Sequence, residues 1–152
     1  MSKSKRFEVR ECGREEWEKF RRYHYLSSEL ATACKCFGLY DDGKIIGFCA
    51  TLHQPHPSNR KLKRCSRLVI MPDYQGIGLG YEFLNSVAEY YKKDGYTSIV
   101  TSAKNFIHKL DKSDKWICIR YSTNNCSSKK SAIDFKRRTI RTKCKTASFV
   151  YK

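Results

Sequence analysis

The sequence predicts a single-domain α/β or α+β protein, in which one layer of β-sheet is covered by helices. Strand-like apolar segments recur along the chain and are separated by segments whose apolar residues have helical spacing. Two of the strand-like segments are joined by Asp41-Asp42-Gly43-Lys44, which is a strong signal for a β-hairpin. A chain of 152 residues is also long enough to bury one hydrophobic core.

Each predicted element follows from its local residue pattern. The segment 15–23 is predicted to be a helix, because Trp17, Phe20 and Tyr23 lie one helical turn apart. A second short helix or a loop follows at 23–28. Further helices are predicted at 81–93, where Gly95 suits the cap position, and at 104–112. Strands are predicted at 6–10, 35–40, 45–52, 62–71, 96–101, 116–121 and 147–151.

Composition narrows the class of protein. The longest apolar run is 45–50, far short of the roughly 20 residues that cross a bilayer. The basic N-terminus has no apolar run behind it, so we expect no secretory signal and a cytoplasmic location. The eight cysteines are then expected to remain thiols. Because Cys34-x-Cys36 has no partner pair at zinc-site spacing, no metal site is expected.

The positive charge is large and uneven. The formal net charge is +16, and residues 101–152 carry 14 lysines and arginines against three acidic residues. Such a field attracts phosphorylated cofactors, nucleic acids or acidic proteins, although a solvated basic face is the alternative explanation. Polar and basic residues make 122–146 a loop-rich segment of the predicted domain, which spans 6–152.

The glycine-rich segment 75–80 is the most informative motif. Glycines at alternate positions leave backbone N–H groups uncovered, and the predicted helix after them adds its own N–H groups and positive dipole end. These features favour a site for phosphate or pyrophosphate. Gly80 is followed by Tyr81 rather than Lys-Ser/Thr, which excludes a nucleotide-hydrolase loop. The spacing and the preceding strands argue against a dinucleotide fold, whereas a tight turn without ligand remains the alternative.

The strand and loop at 67–80 resemble the acyl-CoA motif of the GCN5-related N-acetyltransferases (GNAT). Gln75, Gly78 and Gly80 match the fixed positions of that motif, with a strand before it and a helix after it. The order of elements over 6–121 is also similar, and several segments resemble a prokaryotic subgroup of unknown substrate. The resemblance implies the acyl-CoA N-acyltransferase fold: a mixed, mostly antiparallel central sheet of about six or seven strands, flanked by helices, with a splayed motif strand.

The resemblance also implies a site for acetyl-CoA as co-substrate. The loop backbone would grip the pyrophosphate, and the motif strand would present edge groups to the pantetheine arm. The thioester carbonyl would lie near the backbone N–H of Ile70 or Met71, which would polarise it. Asn105 matches an asparagine that the family commonly carries after the next strand. The implied cofactor residues are Val69, Ile70, Met71, Gln75, Gly76, Ile77, Gly78, Leu79, Gly80 and Asn105.

Catalytic groups are less clearly indicated. Direct transfer needs a base for the acceptor amine and an acid for the leaving thiolate. His24 lies in a segment that lines the acceptor side in this family, and His53 ends the second strand of the hairpin. The family's usual tyrosine is missing, since its position falls near Asp111 or Lys112, and Ser102 or water would then serve as the acid.

Two functions remain open at this point. The first is an acetyl-CoA-dependent N-acetyltransferase acting by direct attack of an amine on a small molecule or a protein. The alternative is a non-catalytic module of the same fold that binds CoA, nucleic acid or a protein partner. The basic patch at 136–145 favours nucleic acid in either case, or an acceptor that is polyanionic or bound to nucleic acid. Nothing indicates a membrane partner, and the oligomeric state stays open, with a homodimer consistent with the sequence.

Overall fold

The computed structural model describes residues 7–24, 29–123 and 145–152. These residues divide into two compact units, Met1–Ile99 and Val100–Lys152, and each unit is described by itself. The segment 25–28 and most of the basic segment 122–146 lie outside the described residues. The predicted second helix or loop at 23–28 and the predicted loop-rich segment 122–146 therefore stay predictions over those residues.

The first unit contains a strand meander that passes into a parallel pair. Its strands are β1 (Phe7–Glu11), β2 (Lys35–Asp41), β3 (Lys44–His53), β4 (Leu62–Ile70) and β5 (Tyr96–Thr101), the last of which runs past the unit's boundary. β1 to β4 pair as antiparallel neighbours in chain order, and β5 pairs with β4 in parallel. Asp42 and Gly43 have φ angles of 48° and 80°, the left-handed pair that a tight hairpin turn requires.

One helix packs against this sheet. α1 (Leu79–Tyr91) buries one apolar face, which includes Phe83, Leu84, Val87 and Ala88. It begins two residues before the predicted start, because Gly78 rather than Gly80 is its N-cap. Gly95 is not a left-handed cap; a methyl group there would meet the carbonyl oxygen of Lys61 at 2.2 Å, so the residue is small because another chain segment passes close by.

The predicted helix at 15–23 is instead two 3₁₀ helices, Arg14–Lys19 and Arg21–Tyr23. The reason is visible in the spacing, since Trp17, Phe20 and Tyr23 lie three residues apart, which is the 3₁₀ repeat rather than 3.6. Trp17 and Phe20 are buried on the sheet, whereas Tyr23 is exposed. Trp17 and Phe20 pack in a cluster with Phe48 and other buried side chains.

The second unit contains a helix and a two-stranded antiparallel ribbon. α2 (Lys104–Asp111) is followed by β6 (Trp116–Thr123), which pairs with β7 (Lys145–Tyr151). Trp116 and Tyr151 are buried and their rings meet edge to face. The seven strands of the described residues confirm the prediction of a mixed, mostly antiparallel arrangement of six or seven strands.

Candidate active site

Among the strands that the structure describes, β5 covers one edge of β4 over only half of its length. Its pairing with β5 runs from Leu62 to Cys65, opposite Tyr96 to Ile99, and β4 then continues for five residues to Ile70. On the other side β3 accompanies it to its end, with Gly47 opposite Ile70. The last part of β4 therefore has a strand partner on one edge and extends past the pairing with β5 on the other.

Backbone direction decides which groups face that edge. The Met71 N–H donates to the Ile46 carbonyl at 2.8 Å, so Met71 is bonded to β3. Because backbone groups alternate in direction along an antiparallel strand, those of Leu68 and Ile70 point away from β3. Leu68 was missed by the sequence analysis, although its place two residues before Ile70 is the signal that would have found it.

The loop after β4 is folded back onto the strand end. The side-chain amide of Gln75 donates to the Ile70 carbonyl at 2.8 Å, which ties the start of the loop to the end of β4. The 3₁₀ turn Pro72–Tyr74 bridges the two. The motif glutamine thus has a structural task in positioning the loop that follows it.

Two glycines of the loop adopt the left-handed conformation. Gly76 and Gly78 both have φ of 86°, where a side chain is strained. A methyl group on Gly76 would meet nothing within 4 Å, so the space over the loop is open. The first bond inside α1 runs from the Glu82 N–H to the Gly78 carbonyl, and the N-cap residue, Gly78, has no side chain to cap this N-terminus. The N–H groups of Leu79 and Gly80 precede that bond at the positive end of the helix dipole.

His24 lies beside the cluster of buried side chains that includes Trp17, Phe20 and Phe48, which we call the aromatic cluster. Its ring meets Trp17 edge to face at 5.9 Å, and Trp17 in turn packs on Phe48 at 5.3 Å. That cluster also contains Val69, and Met71 packs against it. Through Trp17, His24 therefore contacts the cluster that includes Val69 of the motif strand.

His53 lies at the wrong end of the strand pair. It pairs with Lys63 near the start of β4, whereas Gly47 pairs with Ile70 at the other end. Six residues of extended strand separate the two pairs, which is about 20 Å at roughly 3.4 Å per residue. His53 is exposed there and is remote from the loop.

Ser102 and Asn105 belong to the second unit. Ser102 is half-buried just after β5, and Asn105 is exposed on the first turn of α2. The Thr101 hydroxyl accepts the Ala103 N–H at 3.2 Å and so shapes the turn that carries Ser102.

Two arginines anchor the chain next to the predicted acceptor segment. The Arg14 guanidinium donates to the carbonyls of Ala31 at 2.7 Å and Thr32 at 2.6 Å. Arg67, on β4, donates to the Glu29 carbonyl at 3.1 Å. Residues 29–32 are thus fixed from two sides, one of them the motif strand itself. Sequence analysis had no signal for either contact.

A groove of 860 Å³ lies elsewhere on the first unit. It is lined by β1, β2 and α1, and no residue of β4 lines it. At one end Glu11 accepts hydrogen bonds from Tyr90 and Lys35, which lower the pKa of its carboxyl. In the part of the chain that the structure describes, no three His, Cys, Asp or Glu residues are arranged to hold a metal, and no helix is long and apolar enough to cross a membrane.

The first unit thus combines a strand with a half-covered edge, a left-handed glycine loop and a helix N-terminus whose first N–H groups follow that loop, and this combination suits a phosphorylated ligand. The model of the acetyltransferase (GNAT) family matches residues 5–109. The chain therefore belongs to the GNAT acetyltransferase family.

Solved structures share this fold at low sequence identity. An IAA acetyltransferase from Bacillus cereus has a TM-score of 0.68 and 13% identity, covering 95% of this chain and 97% of its own. The ribosomal-protein-S18-alanine N-acetyltransferase from Escherichia coli has a TM-score of 0.66 and 15% identity, covering 95% and 92%. Arabidopsis thaliana NAA60 in complex with acetyl-CoA has a TM-score of 0.66 and 14% identity, covering 95% and 97%. No curated protein sequence matches the chain.

Proposed function

We propose that this protein is an acetyl-CoA-dependent N-acetyltransferase, which transfers the acetyl group by direct attack of an acceptor amine. One observation carries the proposal. The half-covered edge of β4 leads directly into a left-handed glycine loop at a helix N-terminus whose N-cap residue is Gly78. An amide-bearing arm that ends in a pyrophosphate matches that combination.

The loop would hold the pyrophosphate through the backbone of Gln75 to Gly80. The pantetheine arm would lie along β4 and bond to the backbone groups of Leu68 and to the N–H of Ile70, since these point away from β3, whereas the Ile70 carbonyl already accepts from Gln75. The thioester carbonyl would then accept from the Ile70 N–H. The Met71 N–H, the other group predicted from the sequence, already donates to the Ile46 carbonyl, so we do not propose it for this role.

The base on the acceptor side is assigned to His24. Ser102, as the acid for the leaving thiolate, and Asn105, as a cofactor residue, stay proposals from the family resemblance, since both belong to the second unit. His24 is favoured over His53 because it lies beside the cluster that contains Val69, whereas His53 is about 20 Å along the strand. Histidine is the side chain that most often serves as a general base, which suits removal of an amine proton. The mechanism requires no metal.

The acceptor is proposed to be an amine carried by a polyanion or by a protein that binds nucleic acid. The net charge of +16 supports this, because one CoA molecule does not need so much positive charge. The fold neighbour named as a ribosomal-protein-S18-alanine N-acetyltransferase supports an acceptor amine on a protein. The alternative is a CoA-binding module without activity.

Calorimetric titration with acetyl-CoA tests the donor half. We expect one site per chain, with the affinity falling as salt rises if phosphates are held by basic groups. Release of free CoA thiol, followed with acidic peptides and with basic nucleic-acid-binding peptides that have free amines, then tests transfer. Acetyl-CoA binding without release for any amine supports the non-catalytic alternative, and absence of binding overturns the proposal.

Histidine variants test the assignment of the base. We expect His24→Gln to lower kcat by a factor of about 100 or more, the usual contribution of a general base. His53→Gln is the matched control and should change kcat less than twofold. Both variants should bind acetyl-CoA like the native chain. Equal loss in the two variants would contradict the placement of His24.

A further inference from the structure

Three cysteines lie together where the chain enters β2. Cys36 is a buried member of the aromatic cluster, and Cys12 and Cys34 are half-buried against it. The sulfurs of Cys34 and Cys36 are 3.7 Å apart. The Cys12 N–H donates to the Cys36 carbonyl at 3.0 Å, so the strand is held while Cys34, which precedes β2, lies outside the strand ladder.

A fixed positive charge contacts one of these sulfurs. The Arg14 Nη1 atom is 3.5 Å from the Cys34 sulfur. The same nitrogen donates to the carbonyls of Ala31 and Thr32, so the guanidinium is held in place by several bonds. The thiolate is the nucleophilic form of cysteine, and a guanidinium beside the sulfur is the environment found around reactive cysteines.

We propose that Cys34 and Cys36 form a redox-active dithiol that reacts with hydroperoxides. The Cys34 thiolate attacks one peroxide oxygen, the O–O bond breaks, and the products are a sulfenic acid and a hydroxide or alkoxide. The Cys36 thiol then attacks the Cys34 sulfur. An S–S bond forms, the S–O bond breaks, and the hydroxyl leaves as water with the thiol proton.

The geometry permits this reaction with little rearrangement. The two sulfurs must approach each other by about 1.7 Å to reach the length of an S–S bond. Because Cys36 is fixed in β2 and residues 29–32 are held by the two arginines, the movement falls on Cys34 itself. Cys34 is the partly exposed member, which a peroxide reaches from solvent, and Cys36 is the buried member that resolves the intermediate.

A second cysteine pair in the same unit provides an internal comparison. The sulfurs of Cys49 and Cys65 are 3.6 Å apart, nearly the same separation as the first pair. Both residues are buried between β3 and β4. The hydrogen bond with Cys65 and burial hold the pKa of the Cys49 thiol well above its usual range. The distance between the sulfurs therefore does not distinguish Cys34 and Cys36 from the second pair. The partial exposure of Cys34 and its contact with Arg14 do.

Peptide mapping of the full chain tests the proposal. The reduced protein is treated with hydrogen peroxide, alkylated and digested with trypsin. Cleavage after Lys35 places the two cysteines in separate peptides, 23–35 and 36–44, so their disulfide appears as a cross-linked pair. We expect that pair in the native chain and in Cys49→Ser, and its loss in Cys34→Ser and in Cys36→Ser.

Trapping with dimedone, which labels sulfenic acids, separates the two roles. In Cys36→Ser the adduct should accumulate on Cys34, because the thiol proposed to resolve the intermediate has been removed. In Cys34→Ser no adduct should form on Cys36. Adducts on Cys36, or a cross-link between Cys49 and Cys65 at the same rate, would overturn the proposal, as would the absence of any cross-link at 34 and 36. None of these measurements depends on acetyl transfer.

Discussion

Replacing Gly76 with alanine separates the folding role of the glycine loop from its binding role. The chain offers a matched control, since Gly76 and Gly43 have φ angles of 86° and 80°. A methyl group added at either position meets nothing within 4 Å. The two substitutions therefore impose the same kind of backbone strain without a clash, one in the proposed anion loop and one in the β2–β3 hairpin.

The cost to folding is expected to be equal in the two variants. An L-residue in the left-handed region costs roughly 1–2 kcal/mol relative to glycine. For a chain of this size, each kcal/mol lowers the melting temperature by roughly 2–4 °C. We therefore expect both Gly76→Ala and Gly43→Ala to melt a few degrees lower than the native chain and by similar amounts.

The cost to binding is expected at Gly76 alone. Strain there turns the backbone N–H groups away from the position of the phosphates, and we expect at least a tenfold loss of acetyl-CoA affinity, about 1.4 kcal/mol. Calorimetry on both variants, at a temperature where each is folded, makes the comparison. If Gly43→Ala loses as much affinity as Gly76→Ala, or if neither changes, the loop does not hold the cofactor.

Three further predictions concern packing and ionisation. Gly95→Ala should lower the free energy of unfolding by about 1–3 kcal/mol, because its methyl group meets a backbone carbonyl. In the control Gly13→Ala the added methyl meets only the end of a flexible side chain, so the change should be small. Urea denaturation compares the two variants. Thr51→Val should cost about 1–3 kcal/mol in the same assay, because it removes the 2.6 Å hydrogen bond to the buried Tyr91 hydroxyl; stability equal to that of the native chain would refute this. Burial raises the pKa of Cys36 from 9.0 to about 12, so the thiol's contribution to stability is complete below pH 9 and is lost as pH rises toward 12. The free energy of unfolding, measured by denaturation across that range, should therefore decline less steeply in Cys36→Ser than in the native chain.

Local patterns were sufficient for most elements of the fold. The hairpin was predictable because its turn needs left-handed backbone, and Asp42 and Gly43 are residues that tolerate it. The start of α1 was displaced by two residues because Gly78 and Gly80 look alike in sequence, and only backbone geometry distinguishes the cap from the first turn. The 3₁₀ helices were mistaken for one helix because a three-residue spacing is compatible with either repeat over a short segment.

The loop of the candidate site was predictable, but the strand edge was not. Which side of β4 is open depends on the pairing of distant strands, so the choice between Ile70 and Met71 needed the β3 register. The position of His53 was within reach of the sequence. Since β3 and β4 are antiparallel neighbours, the end of β3 must lie at the start of β4, far from the loop.

Amide hydrogen exchange along β4, measured by NMR with and without acetyl-CoA, tests the central claim most directly. The claim is that the arm of the cofactor bonds to the open edge of this strand. We predict that the amides of Leu68 and Ile70 gain protection on binding, whereas those of Val69 and Met71, directed toward β3, stay as they were. Equal protection of all four amides, or no change at Leu68 and Ile70 in a saturated complex, would contradict the account.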